Sequence, residues 1–230
     1  MNKIESLDIG GEKILIKTND EVYFPAEDSY LILRNLKKIK GEVLEVGTGS
    51  GVISIYLAKK DKKNNIKKLW ATDINKAALE VAFINAKLNG VERKIRFYYS
   101  DLFKNIKKQK FDFIIFNPPY LPTEKEDKIK GRINLALDGG EDGLRVIEKF
   151  LRDAKRFLKK SGKVYLVVSD LADLEKFLKI VKKYNYRAKK IAKEAFFFER
   201  IILYKISLDK RYGKNKSNIC RTRTGDQSWA

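Results

Sequence analysis

The chain has 230 residues, of which 43% are apolar and 35% charged, a composition typical of one soluble domain. Fifty lysines and arginines stand against thirty aspartates and glutamates, and there is no histidine. Histidine-based triads, histidine general bases and histidine zinc sites are thereby excluded, and the single cysteine excludes an intrachain disulfide and a multi-cysteine metal site. No metal site is expected, so carboxylates, amides, hydroxyls, backbone groups or a cofactor must supply the chemistry.

Composition also bears on location and partners. No apolar run approaches the ~20 residues that span a bilayer, so a cytoplasmic protein without membrane contact is expected. The lysine-rich, glutamine-poor composition is typical of proteins from thermophilic organisms. The net charge of +20 therefore leaves two interpretations open, a compositional habit of that kind or a polyanionic partner such as nucleic acid.

The N-terminal residues are predicted to form a small unit of their own. Two turn-forming pairs, Gly10–Gly11 and Asn19–Asp20, bracket residues 13–17, and the second pair precedes residues 22–24. This pattern suggests a small hairpin. Pro25 then leads into a predicted helix over residues 26–38, whose first turn is acidic, as suits a helix N-terminus. We interpret residues 1–40 as a hairpin and helix that cover a cofactor site.

From residue 41 onward, short apolar runs alternate with amphipathic segments. Runs rich in β-branched and aromatic residues predict buried strands at residues 43–46, 69–73, 95–99, 111–116 and 164–169. Apolar residues at helical spacing predict helices at residues 52–60, 76–89, 142–159 and 171–184. A final strand pair, residues 187–193 and 196–206, closes the sheet edge. The alternation predicts an α/β fold over residues 41–206, with a mixed, mostly parallel seven-stranded sheet and an antiparallel edge hairpin.

The C-terminal segment differs from the rest of the chain. Residues 207–230 carry six positive and two negative charges without apolar periodicity, and we interpret them as a basic, disordered tail. Most of the net positive charge therefore belongs to the body of the protein.

A glycine-rich turn follows the first strand of the predicted sheet. Glu45, Gly47, Gly49 and Gly51 alternate with other residues directly before a helix, and glycines without Cβ atoms let a ligand approach the backbone. Glu45 places a negative charge where a dinucleotide pyrophosphate would lie. This favours a cofactor with an ammonium group, such as S-adenosylmethionine, although a purely structural turn also explains the glycines.

Two aspartates follow the next two strands. Asp73 lies close to the spacing at which an acidic residue meets ribose hydroxyls, and Asp101 could accept a hydrogen bond from an adenine amino group. Singly, each is also explained as a helix cap or loop carboxylate. Together with Glu45 they place three acidic residues at the carboxyl ends of successive strands, where α/β sheets bind ligands.

The sequence Asn117-Pro118-Pro119-Tyr120 follows the fourth strand. The prolines stop the strand and leave carbonyls without N–H donors. The Asn117 side-chain oxygen and the Pro118 carbonyl can accept the two N–H bonds of a planar amino group, while Tyr120 stacks on its plane. The nitrogen lone pair then points at an electrophile. A stiff structural turn is the alternative explanation.

These motifs resemble those of class I, Rossmann-like S-adenosylmethionine methyltransferases that modify a planar amino or amide nitrogen. Residues 22–29 (VYFPAEDS) and 136–143 (ALDGGEDG) are similar to the HemK/PrmC family of protein-glutamine methyltransferases. Within that family the similarity is to the archaeal and eukaryotic branch, which methylates the glutamine of the Gly-Gly-Gln loop in class 1 translation termination factors. The resemblance covers about residues 20–206 and does not extend to the tail.

The resemblance implies specific roles. It assigns cofactor binding to Ser29, Glu45, Gly47, Gly49, Asp73, Asp101, Leu102 and Asn117. It assigns catalysis to Asn117, Pro118, Pro119 and Tyr120, which would act by positioning the acceptor nitrogen without a side-chain base. No residue is assigned as the proton acceptor. The loop with Gly139, Gly140 and Asp142 is interpreted either as part of the substrate entrance or as a loop and helix cap. Members of this branch often work with a small zinc-binding activator subunit, and this chain's own residues do not decide whether it needs one.

Two other functions remain open at the level of sequence. The Asn-Pro-Pro-Tyr motif also occurs in adenine-N6 methyltransferases acting on DNA or RNA, which the positive charge supports and the lack of a target-recognition domain opposes. A non-enzymatic alternative is a basic nucleic-acid-binding protein on a methyltransferase scaffold. The intact motif and the complete set of acidic residues argue against that alternative.

Overall fold

A computed structural model describes residues 4–63, 65–107, 109–123, 134–196 and 199–209. The first elements are a hairpin and a helix, β1 (Ile4–Ile9), β2 (Glu12–Lys17) and α1 (Glu27–Asn35). The elements that follow are β3 (Gly41–Val46), α2 (Val52–Lys60), β4 (Ile66–Asp73), α3 (Lys76–Leu88), β5 (Ile95–Tyr99), β6 (Phe111–Phe116), α4 (Asn134–Leu137), α5 (Arg145–Ala154), β7 (Leu158–Ser169), α6 (Leu174–Lys183), β8 (Tyr186–Phe196) and β9 (Glu199–Leu208).

Within the described ranges, seven strands form one sheet in the order β5-β4-β3-β6-β7-β9-β8. The strands from β5 to β7 are parallel, whereas β9 runs antiparallel to β7 and β8 antiparallel to β9. The predicted mixed sheet with an antiparallel edge hairpin is thus confirmed. Strand order reverses between β3 and β6, and open α/β sheets bind their ligands in the crevice beyond the carboxyl ends at such a switch point.

The central strands are apolar on both faces because helices cover both faces of the sheet. Leu44 of β3, Ile114 and Ile115 of β6 and Leu166 of β7 are completely buried. Helix α5 is fixed to this core through Phe150, whose ring centroid lies 4.7 Å from that of Phe116 at the end of β6. Residues that follow β6 therefore start from a rigid support.

The helix predicted over residues 142–159 is shorter than expected. Helix α5 ends at Ala154, and the chain turns into β7 at Leu158. The reason is pairing with β6, because the Phe111 N–H donates to the Phe157 carbonyl at 2.7 Å and Phe111 is in register with Leu158. The last apolar residues of the predicted helix face thus belong to the sheet.

The N-terminal hairpin also differs from its prediction. It pairs β1 with β2 around Gly10–Gly11, and residues 22–24 form no strand. The free side of β2 is held by Asn85 of α3 and by Asn89 directly after that helix. Each of these side chains exchanges two hydrogen bonds with the β2 backbone, at 2.7–3.0 Å. The hairpin packs on α2 and α3. The part of residues 4–40 that lines the large cleft described below is the segment 21–29 and not the hairpin.

The folded domain extends beyond the predicted boundary at residue 206. Strand β9 continues to Leu208, and the Asp209 N–H donates to the Asn185 carbonyl at 2.9 Å. Asp209 also forms an ion pair with Arg187 at 3.1 Å. Residues 210–230 of the predicted tail lie outside the described residues. None of the helices in the described ranges has the length and apolar character needed to cross a membrane.

Candidate active site

A cleft of about 460 Å³ opens at the carboxyl ends of β3, β4, β5 and β6. The structure brings all of the predicted site residues to the wall of this cleft, namely Ser29, Glu45, Gly47, Gly49, Asp73, Asp101, Leu102, Asn117, Pro118, Pro119 and Tyr120. Their individual roles in binding and catalysis stay predictions. The arrangement follows from the parallel topology, which places the ends of successive strands at one edge.

The glycine turn after β3 combines structural and exposed glycines. A Cβ on Gly51 would lie 3.0 Å from Ala82 Cβ of α3, so Gly51 allows the turn to pack on that helix. The φ of Gly51 is +84°, which also favours glycine. At Gly49, in contrast, a Cβ would meet no atom within 4 Å, and the residue borders the cleft. Gly49 is therefore the point of the turn where a ligand can reach the backbone.

Glu45 is buried beneath this turn, with 1% of its surface exposed. Its Oε2 accepts hydrogen bonds from the Thr48 hydroxyl at 2.8 Å, from the Ser54 N–H at 3.1 Å and from the Ser54 hydroxyl. Burial raises the pKa of Glu45 to about 7, although these hydrogen bonds work in the opposite direction. The carboxyl group thus ties the turn to α2, and a nearby cationic ligand would favour its ionised form.

We expect the Glu45→Gln variant to change stability in a pH-dependent way. The folded protein retains the Glu45 proton up to about pH 7, whereas the unfolded chain releases it near 4.5, so this contribution is present below pH 4.5 and is lost as pH rises through about 7. Glutamine does not titrate, so the variant does not lose stability in this pH range for this reason. Urea unfolding without cofactor would measure the free energy of unfolding of the variant and of the wild type. The difference, variant minus wild type, should increase by up to about 3 kcal/mol between acidic and mildly alkaline pH. An unchanged difference would contradict this assignment.

Asp73 links β4 to the glycine turn. Its Oδ2 accepts from the Gly49 N–H at 2.9 Å and its Oδ1 from the Asn75 N–H at 2.8 Å. The side chain is largely buried, and burial raises its pKa, against the effect of these backbone hydrogen bonds. Asp73 therefore holds Gly49 in place at the cleft wall.

Asp101, after β5, has partners that sequence reasoning missed. Lys149 of α5 contacts its carboxylate at 3.0 Å and Lys104 contacts it at 2.7 Å. Partial burial opposes ionisation, but the hydrogen bonds from the two lysines lower the pKa of Asp101 below its ordinary value. Leu102 follows with φ of +52°, an uncommon conformation for a residue other than glycine, at the cleft wall. An adenine amino group would share the Asp101 carboxylate with these lysines.

Asn117 is oriented by a buried carboxylate. Its Nδ2 donates to Asp28 Oδ2 at 2.9 Å, and the same oxygen accepts from the Tyr120 hydroxyl at 3.3 Å. Because a carboxylate only accepts hydrogen bonds, the NH₂ side of Asn117 must face Asp28. The opposite atom, Oδ1, is buried and has no hydrogen-bond partner in the described part of the chain. Asn117 thus presents an unused acceptor at the cleft wall.

Asp28 is the site residue that the sequence prediction did not include. The side chain is 4% exposed, and its Oδ1 accepts from the Ser29 N–H at 2.6 Å. Burial, with the charges of Asp28 and Glu199, raises the pKa of Tyr120, so its hydroxyl stays protonated and donates. The acidic helix start at residues 27–28 was the available signal, but it predicted a helix N-terminus and not a buried support for Asn117.

The loop at residues 138–143 packs directly against the end of the Asn-Pro-Pro-Tyr segment. The Gly139 N–H donates to the Leu121 carbonyl at 3.0 Å, and a Cβ on Gly143 would overlap the Tyr120 carbonyl oxygen. Asp142 accepts from the Leu144 N–H at 2.9 Å, just before α5. Of the two interpretations of this loop, these contacts favour the structural one, a loop and cap that hold Tyr120.

We expect Gly143→Ala to destabilise this segment more than Gly90→Ala does. The two glycines have nearly the same φ, +69° and +66°, so the backbone strain of the substitution is matched. A Cβ on Gly90 would meet no atom within 4 Å, whereas the one on Gly143 would overlap the Tyr120 carbonyl oxygen. Overpacking of this kind costs about 1–3 kcal/mol, which thermal unfolding of the two variants would measure. Equal losses of stability would contradict the packing argument.

Comparison with known families agrees with this fold. The family model "Methyltransferase small domain" matches residues 26–134. The E. cuniculi Mtq2–Trm112 complex, described as methylating the eRF1 translation termination factor, has a TM-score of 0.61 and 24% identity, covering 82% of this chain and 99% of that one. Together with the sheet topology described above, the family model and this structural match define a class I S-adenosylmethionine-dependent methyltransferase.

Two relatives identify the family. A "Putative protein N5-glutamine methyltransferase" of Methanocaldococcus jannaschii is 42% identical over 193 residues, 84% of this chain and 94% of that protein. A "Release factor glutamine methyltransferase" of Streptococcus pneumoniae is 35% identical over 66% of this chain and 56% of that protein. The chain therefore belongs to the HemK/PrmC family of protein-glutamine methyltransferases.

The cleft fits the S-adenosyl-L-methionine that this family uses. Gly49 leaves its backbone open to a ligand, Asp73 offers a carboxylate beside it, and Glu45 lies where a positive charge would stabilise its ionised form. These residues would hold the cofactor at the carboxyl ends of β3 and β4. When bound, the cofactor supplies an electrophilic methyl group on a sulfonium sulfur.

Proposed function

We propose that the protein methylates the side-chain amide nitrogen of the glutamine in the Gly-Gly-Gln loop of a class 1 translation termination factor. The observation that carries the proposal is the buried Oδ1 of Asn117, which has no hydrogen-bond partner among the residues that the structure describes and whose orientation Asp28 fixes. An unpartnered buried acceptor is costly unless a ligand supplies the donor. A primary amide supplies such a donor, with a second N–H for the Pro118 carbonyl.

The residues of this chain would act mainly by positioning. An amide nitrogen is a weak nucleophile because its lone pair is delocalised into the carbonyl. Hydrogen bonds to Asn117 and Pro118 would orient the NH₂ group, and Tyr120, held by Asp28, would support its plane. Correct positioning of two reactants is worth about 7–11 kcal/mol of an activation barrier.

The relatives support the choice of substrate. The Streptococcus pneumoniae relative is named for release factor glutamine methylation, and the E. cuniculi structure is described as methylating eRF1. Residues 22–29 and 136–143 carry the sequence resemblance to the archaeal and eukaryotic branch. In the structure these segments flank Asn117, the first through Asp28 and the second by packing on Tyr120.

The proposal is tested by transfer of labelled methyl groups from the cofactor to a purified archaeal-type termination factor. We expect labelling of the factor, and no labelling when the glutamine of its Gly-Gly-Gln loop is replaced by alanine. Labelling of adenine in DNA or RNA, with none of the factor, would favour the adenine-N6 alternative. No labelling of the factor with or without an activator subunit would contradict the proposal.

We further propose that a small activator subunit docks on the surface formed by α3 and β5. Strand β5 is the edge of the sheet and pairs only with β4 in the described residues. Beside it the apolar side chains of Phe83, Ile84 and Tyr99 are 41–46% exposed. An apolar patch beside an open strand edge is typical of an interaction site. The Mtq2–Trm112 complex provides a precedent for a partner subunit in the family.

Replacing Phe83 with glutamate should abolish binding of such a subunit. We expect the variant to lose co-purification with a Trm112-type protein and the activity that depends on it, because the charge would have to be desolvated in the interface. Leu178→Glu is the matched control, since Leu178 is 42% exposed on α6, away from β5. Equal binding by the two variants would contradict this docking surface.

A further inference from the structure

Glu199 lines the cleft near Asn117, at the end where the acceptor amide would bind. It has no role in the mechanism described above. It is the first residue of β9, and because β9 runs antiparallel to β7, its amino end meets the carboxyl ends of β6 and β7. Glu199 lines the same cleft as Asn117, Asp28 and Tyr120, and it is 7% exposed. Its Oε2 is buried and has no hydrogen-bond partner among the described residues.

The surroundings of Glu199 favour binding of a proton. Burial raises the pKa of its carboxyl group, and the charges of Asp28 from α1 and Asp170 after β7 raise it further, against a hydrogen bond from the Ser169 hydroxyl. The charge of Glu199 in turn acts on the phenols of Tyr23 and Tyr120. Glu199 thus has a higher proton affinity than an exposed carboxylate and lies close to the groups that surround Asn117.

The other titratable groups at this end of the cleft already have hydrogen-bond or ion-pair partners or already carry their proton. Asp28 already receives hydrogen bonds from the Ser29 N–H, the Asn117 amide and the Tyr120 hydroxyl. Burial raises the pKa of both Tyr23 and Tyr120, so these phenols stay protonated at neutral pH. Asp138 forms an ion pair with Arg145 at 3.0 Å. Glu199, in contrast, has one carboxyl oxygen, Oε2, without a hydrogen-bond partner in the described part of the chain.

We propose that Glu199 is the proton acceptor in methyl transfer. As the nitrogen lone pair forms the new N–CH₃ bond, the nitrogen becomes pyramidal and its second N–H leaves the Pro118 carbonyl. The proton of this N–H passes to Glu199 Oε2, while the other N–H stays on Asn117 Oδ1. The electrons of the broken N–H bond stay on nitrogen, and those of the broken S–CH₃ bond go to sulfur. The step removes the positive charge of the sulfonium and the negative charge of Glu199 together, so the cleft does not gain a net charge.

This role answers a specific chemical need. An amide nitrogen that gains a methyl group and keeps both protons carries a positive charge that its carbonyl cannot delocalise. Removal of one proton as the bond forms avoids that charge, and general bases contribute about 10²- to 10⁴-fold to such steps. The inference rests on the proposed function, although any other planar amino acceptor would have to lose a proton in the same way.

The test compares Glu199→Gln with the wild type at saturating cofactor. Glutamine keeps the size of the side chain and an acceptor for Ser169 but cannot take the proton. We expect kcat for the termination factor to fall about 10²-fold, with cofactor Kd by calorimetry unchanged. The wild-type kcat should rise with pH through the raised pKa of Glu199, and the variant should lack this rise. Glu194→Gln is the control with wild-type kinetics, since Glu194 lies on the adjacent β8, is partly exposed and pairs with Arg34, outside the cleft lining.

The outcomes separate this inference from the proposed function. No transfer by the wild type would count against the substrate, whereas an active wild type with equal kcat in Glu199→Gln would overturn the role of Glu199. A lower kcat with an unchanged pH profile would also overturn it, because that pattern indicates a structural role. If Glu199→Gln fails to fold, Glu199→Asp must retain the pH-dependent rise at a lower rate.

A readout without substrate completes the test. Carbon-13 NMR of glutamate carboxyl groups in the cofactor-free protein should show, besides the resonance of Glu45, a second one that titrates above the ordinary range. This second resonance should be missing from Glu199→Gln. Titration of that resonance at the ordinary pKa of a glutamate would overturn the proposal.

Discussion

Replacing Asn117 with alanine should lower kcat for methyl transfer by about 10²- to 10³-fold, since a small misplacement of the acceptor already costs about 10²-fold. The variant loses the side-chain oxygen that Asp28 orients toward the acceptor nitrogen. It also leaves the Pro118 carbonyl alone to orient the NH₂ group. Cofactor affinity should change much less, because Glu45 and Asp73, at the carboxyl ends of β3 and β4, stay in place in the variant.

Steady-state kinetics and calorimetry on the same preparation would measure the two effects. Asn105→Ala is a suitable control, since the Asn105 side chain is exposed and donates to the Tyr99 carbonyl at 3.0 Å, outside the cleft lining. We expect this control to keep wild-type kcat. A wild-type rate in Asn117→Ala would refute the positioning mechanism.

Replacing Asp28 with alanine should have the second-largest effect, a loss of about 10²-fold in kcat. Asp28 receives the Asn117 amide and the Tyr120 hydroxyl on one oxygen, and without it both buried donors lose their partner. An unpartnered buried donor costs about 1–3 kcal/mol, so Asn117 would rotate to find another partner and no longer present Oδ1 to the cleft. The catalytic defect should therefore arise without any contact between Asp28 and the cofactor.

Two further variants separate charge from geometry at this position. Asp28→Asn keeps one acceptor oxygen, so it should retain more activity than Asp28→Ala. Glu27→Gln, one residue earlier in α1, should behave as the wild type because Asp28, not Glu27, bonds to Asn117 and Tyr120. A defect of equal size in Glu27→Gln and Asp28→Ala would contradict the specific role of Asp28, because it would show that any change at the start of α1 lowers the activity. Kinetics combined with thermal unfolding would distinguish these outcomes.

Much of the sheet was predictable because its central strands are buried on both faces. Strand β6 has the predicted bounds of residues 111–116, since a continuous apolar run is typical of such a strand. The predicted bounds were wrong where apolar residues at helical spacing pair with a strand and do not continue the helix. Phe157 and Leu158 continue the helical spacing of α5 but pair with β6, and only the three-dimensional register shows this.

The site was predictable to the extent that it lies directly after strands. Glu45, Asp73 and Asn117 lie at or directly after the carboxyl ends of parallel strands, and topology then places them together. Asp28 and Glu199 were missed because neither follows a parallel strand. Asp28 is on a helix that packs over the cleft, and Glu199 begins an antiparallel strand, so their burial beside Asn117 depends on long-range packing that spacing along the chain does not contain.

The central claim is that Asn117 presents an acceptor for the amide of one glutamine. The most direct test is mass spectrometric mapping of an archaeal-type termination factor after reaction with the protein, the cofactor and a Trm112-type activator. We expect a single added methyl group on the side-chain nitrogen of the glutamine in the Gly-Gly-Gln loop, and no such group with Asn117→Ala. An unmodified glutamine, in a reaction where the cofactor is consumed and the methyl group is found on another residue or on a nucleic-acid base, would contradict it.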